Sequence, residues 1–129
     1  QADGGTRTAA ITGAWVAVAD AVTAAKKAGL LSQGAKVLTN QVAAISVGMI
    51  KSAAVPAVVV DLDYVEDVDA QVDMNVAMLA DDTFVEVQGT GEHATFSASQ
   101  LEQMLSAASV AIRRLHSAQN AALKQEQPD

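Results

Sequence analysis

Two short stretches of this 129-residue chain carry side chains whose type and spacing could do chemistry. The first, Asp61-Leu62-Asp63-Tyr64-Val65-Glu66-Asp67-Val68-Asp69-Ala70-Gln71-Val72-Asp73-Met74-Asn75, sets six acids within the thirteen positions from Asp61 to Asp73. Carboxylates this crowded repel one another unless a cation answers them. A hard divalent ion such as Mg²⁺, held by one or two carboxylates together with substrate phosphate oxygens, would do so. A solvated acidic surface loop is the plainer reading, and this stretch alone favours it. An EF-hand is excluded: with the loop started at Asp61, Glu66 falls where the sharp turn needs Gly, and Val72 where the bidentate Glu belongs.

The second stretch is Gly4-Gly5-Thr6-Arg7-Thr8, preceded by Asp3. Paired glycines permit unusual backbone angles and the close approach of a ligand. A helix beginning here would point amide N–H groups and the positive end of its dipole at an anion, and Arg7 could grip two oxygens. An ordinary capped helix with a surface arginine fits the same residues equally well.

These stretches need elements to hold them. A helix is expected over about 8–28, burying Ile11, Trp15, Val18 and Val22, with Lys26 and Lys27 suiting its C-terminal dipole and Gly29 its C′ position. Residues 41–50 read as a central strand covered on both faces, and 57–62, after Pro56, as a second strand. From Val72 the pattern alternates, so Val72, Met74, Val76 and Met78 share one face of a third strand and Asp73 and Asn75 the other. A turn at Asp81-Asp82 leads into a fourth strand over 83–89, completing an antiparallel hairpin. Ser97 with Gln100 makes a capping box and Phe96 with Leu101 a hydrophobic staple, opening a helix over 97–117. Its buried stripe is Leu101, Met104, Leu105, Ala108, Ile112 and Leu115.

The fold class is therefore α/β of the α+β type: a mixed four-stranded sheet with two long helices packed against it. Residues 1–117 form the domain, and 118–129 a polar tail expected to fray. Gly89-Thr90-Gly91-Glu92-His93-Ala94 matches G-x-G-x-x-A in form only, because the following helix starts too late to place its N-terminus on a pyrophosphate. His93 and His116 read as solvated side chains, and no Ser-His-Asp arrangement is present.

Half of the chain is apolar but only 3% aromatic, so the core is built from Ala, Val, Leu, Ile and Met. The formal net charge of −7 argues against a general electrostatic grip on nucleic acid, so a polyanion must be met locally, by a metal or a few placed cations. The absence of cysteine excludes disulfides and thiolate chemistry and fits a cytoplasmic setting. No segment reads as membrane-spanning: Ala53–Val60 is short and holds Pro56, and the Ala-rich run before Lys26 carries Asp20 and several threonines. The chain starts at Gln1 without Met and is read as a piece of something longer.

Taken in order, Gly4-Gly5-Thr6-Arg7-Thr8, Val42-Ala43-Ala44-Ile45-Ser46-Val47-Gly48, Asp61-Leu62-Asp63-Tyr64-Val65-Glu66-Asp67, Val72-Asp73-Met74-Asn75 and Val85-Glu86-Val87-Gln88-Gly89-Thr90 resemble the ribonuclease PH family. The resemblance runs from Gln1 to about Leu115 and departs at Ser32–Asn40, Lys51–Ala57, Trp15 and Asp69. It implies phosphate-dependent 3′-to-5′ exoribonuclease activity on the 3′ ends of transfer RNA precursors, releasing nucleoside diphosphates. It also implies that this chain is the C-terminal half of the family's polypeptide. Residue by residue, the resemblance makes Gly5, Thr6 and Arg7 phosphate-binding. It makes Asp67 and Asp73 catalytic and metal-binding, with Mg²⁺ as cofactor and inorganic phosphate as co-substrate. Asp61, Asp63 and Asp69 become helpers or surface charges. The implied partners are RNA, the N-terminal half and further copies in a hexameric ring, and the half alone is expected to be inactive. Related proteins that keep the fold as non-catalytic, RNA-binding ring subunits are the alternative. For the enzyme, the loop at 5–7 and the two aspartates must meet in space.

Overall fold

The computed structural model describes residues 3–51 and 56–125. Its elements in order are α1 (Thr6–Lys27), β1 (Val42–Ile50), β2 (Ala57–Val60), α2 (Tyr64–Asp69), β3 (Val72–Leu79), β4 (Phe84–Thr90) and α3 (Ala98–Gln125). The four strands form one sheet in the order β2-β1-β3-β4, and every pairing is antiparallel. Because β2 and β3 lie on opposite sides of β1 and each runs against it, they are parallel to one another. The chain between them must cross the end of β1, and that crossing is the acidic stretch.

The period-2 pattern of β3 sorts the sheet into two faces. Paired residues share a face, so Val47 and Met74 line one side with Ile45, Val76 and Val87, while Ser46, Asn75 and Gln88 form a polar row on the other. The apolar side packs against α3 through Met104, Ala108 and Ile112, all fully buried, and this is the core. β1 is buried along nearly its whole length, as a central strand should be. The capping box at Ser97 and Gln100 is formed, with both backbone N–H groups answered.

β2 is short and pairs only with Val47–Ile50. The same edge of β1 therefore has peptide groups at Val42, Ala44 and Ser46 without a neighbouring strand, and buried peptide groups need partners. Three other parts of the chain supply them. Thr12 of α1 accepts from Ala44 N at 3.0 Å and donates to Ala44 O at 3.1 Å. Gln119 of α3 donates to Val42 O at 3.0 Å and to Thr12 O at 2.8 Å, and accepts from Gln41 Nε2 at 2.7 Å. The backbone N–H of Asp61 reaches Ser46 O at 2.8 Å.

Four expectations change. The face of α1 turned to the rest of the fold runs through Thr8, Thr12, Trp15 and Ala19, and Val18 is exposed, because threonine hydroxyls rather than a valine stripe meet the strand edge. α1 is also long and apolar enough to cross a membrane by length and composition, a property of its alanines, while one side of it packs on the sheet. α3 does not stop at residue 117 but continues to Gln125, drawn on by the buried Gln119; residues 126–129 of the expected tail lie outside the described residues, as do 52–55. His116 is buried, not solvated, and its Nε2 has no hydrogen-bond partner. His93 is exposed as expected.

Burial holds the His116 imidazole below the ordinary histidine range, opposed by a hydrogen bond to the Met78 backbone and by Asp82. A histidine kept neutral in the fold but free to protonate when unfolded costs stability as pH falls below its unfolded value of about 6.5. Urea unfolding of the full-length protein between about pH 7.5 and 5.5 should show a loss that His116→Leu removes. Its contribution is limited to about 1.4 kcal/mol per pH unit. Parallel curves for the two proteins would show that His116 is not held neutral.

Candidate functional site

The glycine turn and the acidic crossing are packed directly on one another. Gly4 and Gly5 hold φ values of 82° and 56°, in the left-handed region that favours glycine. A Cβ on Gly4 would stand 2.4 Å from Leu62 O and 3.0 Å from Asp63 C, so only glycine lets the turn rest on that backbone. From the other side, Asp3 Oδ1 accepts from Tyr64 N at 3.3 Å.

The acidic crossing is itself pinned to β1. Leu62 is 2% exposed and occupies the space left by Gly48, where a Cβ would meet Leu62 Cδ2 at 2.6 Å. Ser46, also buried, accepts from Leu62 N through its Oγ at 3.2 Å. The chain then turns into α2, a short helix not anticipated from the sequence. Its capping box is Asp63 with Glu66: Glu66 N donates to Asp63 Oδ1 at 2.8 Å and Asp63 N to Glu66 Oε2 at 3.2 Å. The spacing Asp-x-x-Glu was visible, but the density of acids around it obscured a local structural use. Two of the six acids are thereby spent on the backbone. Asp61 and Asp69 are exposed.

Asp67 and Asp73 remain, and both reach the cleft. Gly5, Thr6, Arg7, Ser46, Asp67, Asp73 and Asn75 line a cavity of about 160 Å³ between the start of α1, α2 and the polar row of the sheet. The structure thus brings together all five residues singled out for chemistry. It adds Ser46 and Asn75, which sequence reasoning did not assign. The alternation that placed Asp73 away from the core places Asn75 beside it, and a serine within an otherwise apolar strand was the other signal.

Burial first, then the charges of Asp67 and Glu92, push the Asp73 carboxyl above the usual carboxylate range, against a lowering hydrogen bond from the Met74 backbone. The cleft therefore sets Asp73 within the negative field of Asp67 and Glu92. Among the described residues no three His, Cys, Asp or Glu side chains converge as a ready-made metal cage. Two carboxylates beside an open polar cleft nevertheless fit a magnesium-like ion, which keeps waters and takes further oxygens from a substrate phosphate. Arg7, lining the same cleft, supplies the opposite charge. Its Nη2 donates to Glu86 Oε1 at 2.5 Å and its Nη1 to Gln88 Oε1.

A protein-family model described as "3′ exoribonuclease family, domain 2" matches residues 40–111. The chain belongs to the 3′ exoribonuclease family, corresponding to the C-terminal half of ribonuclease PH. It is 53% identical over 128 residues to the ribonuclease PH of Corynebacterium kroppenstedtii, covering 99% of this chain and 48% of that protein. The same figures hold for ribonuclease PH of Mycobacterium avium, and that of Synechococcus sp. is 52% identical, with 98% and 50% covered. The chain spans about half the length of the curated relatives it matches.

Because Asp67 raises the affinity of Asp73 for its proton, Asp67→Asn should move the Asp73 titration to lower pH. Carbon-13 NMR of the side-chain carboxyl in the full-length protein reads this directly. A titration indifferent to the substitution would mean that the two carboxylates do not share the cleft.

Proposed function

We propose that the whole protein of which this chain is half is a phosphate-dependent 3′-to-5′ exoribonuclease that trims transfer RNA precursors by phosphorolysis in the cytoplasm. The observation that carries this reading is the meeting of Gly5-Thr6-Arg7 with Asp67 and Asp73 in one cleft. The family and the names of its relatives support the coarser class, a 3′ exoribonuclease.

In the proposed reaction an oxygen of inorganic phosphate attacks the terminal phosphodiester phosphorus. The bond to the 3′ oxygen of the preceding nucleotide breaks, that oxygen takes up a proton, and a nucleoside diphosphate leaves. Phosphate is already anionic, so no strong base is needed to create the nucleophile. The barrier is dominated by bringing two anions together and by the charge that shifts as the bond changes. Thr6, Arg7 and the amide groups opening α1 hold and orient the attacking phosphate. Asp67 and Asp73 would hold Mg²⁺, which would supply positive charge against the scissile group. With cation and acids lining one cleft, the two anionic partners are held close enough to come into line.

The surfaces left open support assembly with the other half and with further copies, proposed as a hexameric ring. Val85 is 60% and Val87 44% exposed on β4, an edge strand, and the outer side of α1 presents Ala9, Ala14, Ala17 and Val18 to solvent. Open strand edges and apolar patches of this kind mark places where another segment packs.

In the full-length protein Arg7→Ala should raise the phosphate KM roughly tenfold to a hundredfold, the value of a charge-assisted hydrogen bond. Release of nucleoside diphosphates from a tailed transfer RNA, measured against phosphate concentration, checks this; an unchanged phosphate dependence removes Arg7 from the site. Asp73→Asn should lower Mg²⁺-dependent turnover by roughly a hundredfold or more while the thermal midpoint holds. If it instead simply unfolds the protein, the aspartate is structural.

A further inference from the structure

Arg7 is the second residue of α1, yet its side chain does not extend freely from the helix. It is carried onto β4, where Glu86 and Gln88 each receive one of its terminal nitrogens. Glu86 and Gln88 stand opposite Ala77 and Asn75, on the face of the sheet that carries Asp73. The alternation of β4 thus delivers two acceptors, two residues apart, to one guanidinium.

A guanidinium has five N–H donors in a fixed plane, whereas its aliphatic stem is floppy and loses rotamer freedom when an anion orders it. Two contacts on β4 remove that freedom beforehand and leave donors over for a ligand. They also choose a side. The Glu86 carboxylate repels an anion approaching Arg7 from β4, so the approach left is from the cleft, where Thr6, Ser46 and Asn75 wait. The ion pair is partly exposed, with side-chain exposures of 54% for Arg7 and 35% for Glu86, and pairs so placed add little to stability. Orientation is the greater effect.

We infer that Glu86 and Gln88 are positioning residues for Arg7, holding its guanidinium ready for phosphate. This rests on the reading of Arg7 as a phosphate contact. In the full-length protein, Glu86→Ala and Gln88→Ala should each raise the phosphate KM about fivefold, with kcat within about twofold, as expected when only the ordering of a contact is lost. The thermal midpoint should hold, and Glu86→Gln, which keeps an acceptor in place, should recover most of the loss. In an Arg7→Ala background neither alanine substitution should cost anything further. Calorimetric titration with inorganic phosphate should rank the variants in the same order.

A phosphate KM that stays level in both alanine variants overturns the inference. So does one that falls, since that is the signature of a carboxylate competing with phosphate, and so does a penalty that persists without Arg7. Should Glu86→Ala fail to fold, Gln88→Ala and Glu86→Gln decide. If Arg7→Ala itself leaves phosphate dependence intact, the phosphate site is what has failed; if Arg7→Ala raises it and the β4 variants do not, only the positioning role has.

Discussion

The unpaired edge of β1 is the constraint on which the rest of this fold depends. A strand buried on both faces cannot leave peptide groups bare, and β2 is too short to cover Val42, Ala44 and Ser46. Thr12, Gln119 and the backbone of Asp61 complete the ladder, and they come from α1, α3 and the acidic crossing. Satisfying one strand edge therefore places two helices and a loop around the same end of the sheet. The loss of any of these partners would leave a buried peptide group unanswered, a cost of about 1–3 kcal/mol each.

The cleft is a by-product of that placement, refined by glycine. Gly4 admits the Leu62–Asp63 backbone, and Gly48 admits the Leu62 side chain. These two contacts are what set the front of α1 against the acidic crossing. The acids are divided by role through simple local chemistry: Asp63 and Glu66 cap α2, leaving Asp67 on its inner side, while Asp73 is fixed by the pleat of β3. Burial and like charge raise the proton affinity of Asp73, and Arg7, in the same cleft, is restrained by Glu86 and Gln88.

The same arrangement gives a chain that spans about half the length of its relatives its own core, yet leaves some of its surfaces apolar. Met74, Val76, Met104 and Ile112 are sealed between the sheet and α3, so this layer is complete. α1 is different. Its alanines and Val18 give one side of the helix an apolar surface that nothing in the described residues covers, which is the state expected of a helix meant to lie between two layers.

Much of this was legible in the residues themselves. The alternation Val72-Asp73-Met74-Asn75 fixed which side chains leave the core, because the pleat has period 2; the Ser97–Gln100 box fixed where α3 begins; and the motif resemblance selected Asp67, Asp73 and Gly5–Arg7 from a larger set of candidates. The sequence did not disclose α2, the burial of His116 or the true inner face of α1, since each depends on partners distant along the chain. Nor could it show that Glu86 and Gln88, unremarkable in a strand pattern, would close on Arg7 from some eighty positions away. Periodicity and capping are local and can be read from order alone. Which free N–H finds which free carbonyl, and which charge faces which, is decided only when the layers pack, because those contacts are chosen by space and not by spacing.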